Sequence, residues 1–238
     1  MYLKIDTLNK VEDLPDCYDK PYLIKNGCKK FIAYKRWNIE YLKRKMRNCK
    51  LPVEKYESKK DMGKTKSKSV KKVEFDKIPD LVCREKSPFY YCAEVDLFRY
   101  QKNISPDIFY DTSLKSDDKR DVEGWLLFLG HNSKSGCHLH GESDFLLNQI
   151  IGKKTVYLFD FYDNPSLEMN DLYHFRSNFI KKNFFELDHK KYKIYKVDLN
   201  PGDSLAIPPW WFHAVQGYGL SCSLTKIFDR SDKFYYFT

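Results

Sequence analysis

At 238 residues the chain can bury one substantial core but hardly two, and 42 Lys and Arg against 33 Asp and Glu leave a net charge of +9, a balance that favours acidic partners. Aromatic residues reach 16% while Gly and Pro number only 10 each, which excludes a disordered or collagen-like chain. The opening MYLKIDTLNKVEDL has no apolar leader core, and no window approaches the roughly 20 apolar residues of a membrane span. Seven scattered cysteines (Cys17, Cys28, Cys49, Cys83, Cys92, Cys137 and Cys222) form no CxxC pair, so a reduced, intracellular protein of cytoplasm or nucleus is expected, with no membrane partner.

In chain order, KPYLIKN (20–26) reads as a strand, and Trp37, Tyr41 and Leu42 have the spacing of an amphipathic helix running to about Met46. LPVEKYES reads as a short strand. The lysine-rich run 59–72 (KKDMGKTKSKSVKK) has too few apolar residues to pack and reads as an exposed loop, either a solvated insertion or a nucleic-acid contact. FYYCAEVDLF (89–98) suits a strand, GWLLFLG (124–130) a strand buried on both faces, and KTVYLFDF from Lys153 another. Residues 163–190 read as a polar, irregular or helical connection. KYKIYKVDL, DSLAIP, FHAVQ and LSCSLTKIF then follow as short strands separated by NPGD, PPW and GYG turns. The pattern predicts an antiparallel β-barrel or sandwich with a helical flank and no internal repeat.

Chemistry concentrates in GCHLHGESD (136–144). On a strand, residues two apart share a face, so His138 and His140 are neighbours, as are His140 and Glu142. His213, in PGDSLAIPPWWFHAV, is the third candidate. Two imidazoles and one carboxylate on one face of Fe(II) leave positions open for an oxidant and a chelating cosubstrate, whereas a set richer in histidine suits zinc, manganese, nickel or a different iron chemistry. The choice between Glu142 and His138 therefore decides the reaction. His131, His174 and His189 are read as core or exposed residues outside any site.

These segments resemble the JmjC and cupin superfamily of 2-oxoglutarate oxygenases. GCHLHGE is similar to the stretch that supplies the family's first two iron ligands, NQIIGKKTVYLF (148–159) to the strand with its cosubstrate lysine, and PGDSLAIPPWWFHAV (201–215) to its last-ligand segment. Weaker similarity reaches upstream through GWLLFLG, FYYCAEVDL and KPYLIKN. The resemblance implies a single JmjC/cupin-like domain over 1–238, mainly β with flanking helices. Its α-helical N-terminal region would be a flank of strand and helix over 1–88 carrying the lysine-rich loop 59–72, followed by a double-stranded β-helix (jelly-roll) barrel over 89–238.

For the site, the resemblance implies His140, Glu142 and His213 as metal ligands, with His138 and Asp144 as the rival set of an HxH-acid pattern. Lys154 would bind the far carboxylate of 2-oxoglutarate, with Lys153 on the opposite face as fallback. Cys137 stands where a threonine often meets the cosubstrate, and Thr225 where an asparagine is common. The implied cofactors are Fe(II), 2-oxoglutarate and dioxygen. The implied activity is hydroxylation of a protein or peptide side chain, with an RNA (tRNA) substrate for hydroxylation or demethylation, or a non-catalytic or other-metal interaction module, as alternatives.

Overall fold

A computed structural model describes residues 2–15, 18–63, 69–100, 104, 107–108, 122–141, 143–170 and 178–229. In chain order the strands and helices are β1 (Asp6–Leu8), β2 (Tyr22–Ile24), α1 (Ile32–Arg36), α2 (Ile39–Lys45), β3 (Lys50–Tyr56), β4 (Ser69–Glu74), α3 (Ile78–Val82), β5 (Phe89–Asp96), β6 (Val122–His131), β7 (Ser143–Asp160), β8 (Tyr195–Leu199), β9 (Ser204–Ile207) and β10 (Trp211–Asp229). Most segments read as strands from their alternation are strands. The N-terminal flank, by contrast, is less helical than expected. Its helices are only five, seven and five residues long, and β1 to β4 share the region with them.

The sheet runs β1-β2-β9-β7-β10-β6-β5-β3-β4, with β8 pairing β7 off this path. β10 is therefore central, hydrogen-bonded along its first half to β7 and along its second to both β7 and β6. The GYG segment is not a turn between two strands: Tyr218 to Cys222 is a register shift inside one continuous β10, opposite Gly152 of β7. Gly152 has φ +70, and an added Cβ would collide with the Leu220 carbonyl oxygen. Paired distortions of this kind bend a sheet without cutting it. Gly152→Ala combines left-handed strain with a backbone clash and is expected to destabilise by about 2–3 kcal/mol. In thermal melts this should lower Tm by roughly 5–10 °C.

The lysine-rich run is also only partly a loop. Ser69 to Lys72 belong to β4, which pairs with β3, and residues 64–68 lie outside the described set. An edge strand tolerates lysines because its outward positions meet water. On the other flank, the buried Asp107 carboxylate accepts hydrogen bonds from Trp37 Nε1 at 3.1 Å and Tyr41 Oη at 2.7 Å and pairs with Arg36 at 3.5 Å. It ties the helical flank to the core, where Trp37, Leu42 and Met46 pack with Val53, Leu127 and Leu224. Among the described residues no helix is long and apolar enough to cross a membrane. The six described cysteines are free thiols, and Cys17 lies outside the described set.

Candidate metal centre

Residues 133–140 run antiparallel to the first half of β10. Gly217 N donates to Ser133 O, Ser135 N to Val215 O, and His138 and His213 exchange both backbone hydrogen bonds, at 3.2 and 2.8 Å. Pro208, Pro209 and a left-handed Trp210 (φ 64) precede this pairing, and Trp210 N donates to His140 O at 2.8 Å. Alternation then divides the strand. Phe212 and Ala214 enter an apolar cluster with Phe159 and Phe184, while His213 and Val215 face a cavity.

Three imidazoles meet there. The ring centroids of His138 and His213 are 4.3 Å apart, those of His138 and His140 4.9 Å, and those of His140 and His213 5.2 Å. One nitrogen from each lies within 4.8 Å of the other two. His138 Nδ1 sits 3.0 Å from Gly136 O and His213 Nδ1 3.3 Å from Trp211 O. A carbonyl only accepts, so both Nδ1 atoms carry a proton, which leaves Nε2 as the nitrogen of each ring free to face the cluster. This is the arrangement by which metal-binding histidines are oriented. Burial, reinforced by the neighbouring imidazoles, holds His140 and His213 well below the ordinary histidine range, so they present lone pairs rather than charges. The donor set fits a transition metal.

The cavity, of about 560 Å³, is lined by the three histidines together with Lys154, Thr225, Phe145, Phe179 and residues of β3, β5 and β6. Lys154 pairs in register with Gly217 and Leu158 with His213, which places the lysine on the same face, four positions or ~13 Å along the strand. Its ammonium is buried, lies over the Phe128 ring at 5.5 Å, and has no carboxylate partner among the described residues. Burial lowers its pKa to about 8. Thr225, opposite Leu126 and Leu147, has a buried hydroxyl with no hydrogen-bond partner among the described residues. A buried cation and an unused hydroxyl facing the same space are costly unless an anion joins them. A small carboxylate fits both needs.

Other expectations fare differently. Cys137, expected beside the cosubstrate, corrects that expectation: it points to the opposite face from His138 and packs with Leu139, Phe159 and Ile180. Asp144 is likewise not a lining residue. It is fully buried on the other face of β7 from Ser143 and Phe145, whose side chains do line the cavity. Lys153 is exposed. Glu142 lies outside the described residues, as does His174, while His189 donates from Nε2 to Phe184 O and meets Tyr2 Oη at Nδ1, away from the cavity.

Several lining residues escape sequence reasoning. Asn178 and Phe179 come from the connection after residue 163 and reach the site because Phe179 bridges His138 and stacks on its ring at 4.5 Å. Glu94 turns inward at a bulge in β5, with φ 50. Tyr91 and Ala93, by contrast, line the cavity in the ordinary alternation of that strand, a signal open to a period-two reading. Burial raises the Tyr91 hydroxyl well above its usual range, so it stays a donor.

Comparison with known proteins agrees with this architecture. The chain is similar to the Jumonji C domain-containing protein 5 of Drosophila melanogaster, with 26% identity over 244 residues covering 93% of the chain; it spans only 58% of that protein's length. Residues 17–234 match the cupin-like domain. A central β10 that delivers His213 opposite His138, inside a mainly β chain matched almost end to end, places this protein in the cupin-like domain family, of the Jumonji C type.

Proposed function

We propose that the protein is an Fe(II)- and 2-oxoglutarate-dependent dioxygenase that hydroxylates a side chain of a protein substrate. The observation that carries this reading is the cavity that joins the histidine cluster to a buried Lys154 with no carboxylate partner among the described residues. Iron, when bound, supplies the activation of dioxygen and the oxidation of the 2-oxo acid and of a substrate C–H bond.

The protein's own residues hold and orient the reactants. His140 and His213 are the metal ligands common to both sets under consideration, joined by Glu142 as the resemblance implies or by His138. Lys154 takes the far carboxylate of 2-oxoglutarate in a charge-assisted bond, and the Thr225 hydroxyl donates to the same group. Phe128, Phe145, Leu147 and Ile207 wall off water on the inner side. Towards β3 and β5 the cavity is lined by Tyr56, Met62 and Ala93 with Glu54 and Glu94. Carboxylates there oppose a phosphate backbone, which favours a peptide over RNA despite the net charge of +9.

Purified protein supplied with Fe(II), ascorbate and 2-oxoglutarate should form succinate slowly even without substrate. Glu142→Ala should lower this by at least ~100-fold if the carboxylate is a ligand, and His138→Ala should do so if the third donor is an imidazole. Absence of succinate together with absence of iron uptake would overturn the oxygenase reading.

A further inference from the structure

We infer that Phe145 is a positioning residue for His140, its stacked ring fixing the imidazole where a backbone carbonyl fixes His138 and His213. The inference rests on the proposed metal centre and concerns how one of its ligands is oriented.

The three histidines are not supported alike. His138 and His213 each place Nδ1 against a carbonyl oxygen two residues earlier, Gly136 O at 3.0 Å and Trp211 O at 3.3 Å. Neither ring nitrogen of His140 has a hydrogen-bond partner among the described residues. Instead its ring lies on Phe145, with centroids 3.8 Å apart and planes 19° from parallel. This is the tightest of the ring contacts around the site, closer than Phe179 on His138 at 4.5 Å.

Rotation of an imidazole about its last torsion is soft and roughly two-fold. An unsupported ring would therefore sample orientations that aim its ligating nitrogen away from His138 and His213, and freezing it on binding would weaken the metal. Phe145 is itself well anchored. It is in register with Ile207 on one side and Ile227 on the other and packs with Leu147, Leu205 and Trp211. A ring held by two neighbouring strands can serve as a rigid plate for its partner. Phe145 stands on β7 directly after the buried Asp144, so backbone alternation turns it to the cavity face that His140 shares.

The test uses the full chain and Co(II), whose visible absorption reports binding directly. An aromatic–imidazole stack of the ordinary strength corresponds to roughly 2–10-fold in affinity, and at this close contact Phe145→Leu should weaken Co(II) by about 5–10-fold. Phe145→Tyr, which keeps the ring face, should bind within about 2-fold of wild type. His140→Ala should bind far more weakly than either. A merely structural role for Phe145 would lower Tm without this split.

A second readout needs no metal. In nitrogen-15 spectra of the metal-free protein, His140 should show one slowly exchanging ring environment, and Phe145→Leu should average it while His138 and His213 keep their Nδ1–H signatures. Equal Co(II) affinity in Phe145→Leu and wild type, equal losses in the leucine and tyrosine variants, or an already averaged His140 signal in wild type would each overturn the inference. If His140→Ala bound Co(II) as tightly as wild type, the metal centre itself would be refuted, while the ring spectra would still judge the stacking.

Discussion

Lys154→Met should make the ligand-free protein more stable and abolish the proposed succinate formation. Burial lowers the Lys154 pKa to about 8, against roughly 10.4 in an unfolded chain. The unfolded state therefore takes up a proton first as pH falls from about 10.4 to about 8, and stability is lost across that window. Below pH 8 the deficit is constant. It amounts to roughly 3 kcal/mol, since each pKa unit is worth about 1.4 kcal/mol. Methionine fills a similar volume without the charge and should recover about 1–3 kcal/mol at pH 7, a rise in Tm of several degrees. The gain should shrink as the pH of the melt is raised towards 10.5.

The same variant should lose its response to 2-oxoglutarate. For the wild type, cosubstrate at 100 times its Kd adds about 2.7 kcal/mol of stability, and Lys154→Met should show almost none of this while succinate formation falls at least ~100-fold. A variant that is less stable at pH 7 and still stabilised by 2-oxoglutarate would show that the lysine is not the anion site. Tension between a buried charge and the stability of the empty fold is common where a protein must bind a small anion.

The second large effect belongs to His213→Ala, which should abolish detectable metal binding and reduce turnover by at least ~1,000-fold. His213 is the partner of both other imidazoles, and its loss leaves two nitrogens on one side of an open space. Mn(II), a redox-silent probe, should raise the Tm of wild type and leave that of the variant unchanged. The pH dependence of the metal-free protein gives a second reading. His140 and His213 are held below the ordinary range by burial, so the unfolded chain gains protons first as pH drops below about 6.5. Stability is then full above that pH and declines below it. Removing His213 should soften this acid sensitivity, so that the wild type and variant melts converge as pH falls from 7 to 5.

Much of this site was legible in the sequence, for a simple physical reason. Strands alternate, and the PPWWFHAV segment must turn and then present every second side chain to one face, which delivers His213 and Val215 inward. Alternation also places His138 beside His140. The same alternation puts Cys137 on the face away from His138, where it packs with Leu139, so the cosubstrate contact implied by the resemblance does not carry over. Glu94 was hidden because a bulge adds a residue and breaks the period. Phe179 was hidden because it reaches His138 through an isolated bridge in a segment with no periodic signal. The continuity of β10 was masked by two glycines, which signal a turn in sequence but mark a register shift opposite Gly152 in the fold. Helix lengths in the flank were overestimated because an amphipathic spacing is satisfied by the two-turn helix α2.

The position of β10 carries a consequence for synthesis. It is the last strand of the described chain, yet it lies between β7 and β6, which are made much earlier. Until it emerges, β6 and β7 each hold an open hydrogen-bonding edge across an unfilled slot, and the His138 segment has no strand to pair with. Such non-local closure is slow, and open apolar edges invite pairing with other chains in the meantime. The strand that carries His213 is thus also the strand that closes the sheet, so covering the open edges of β6 and β7 and assembling the histidine cluster are one step.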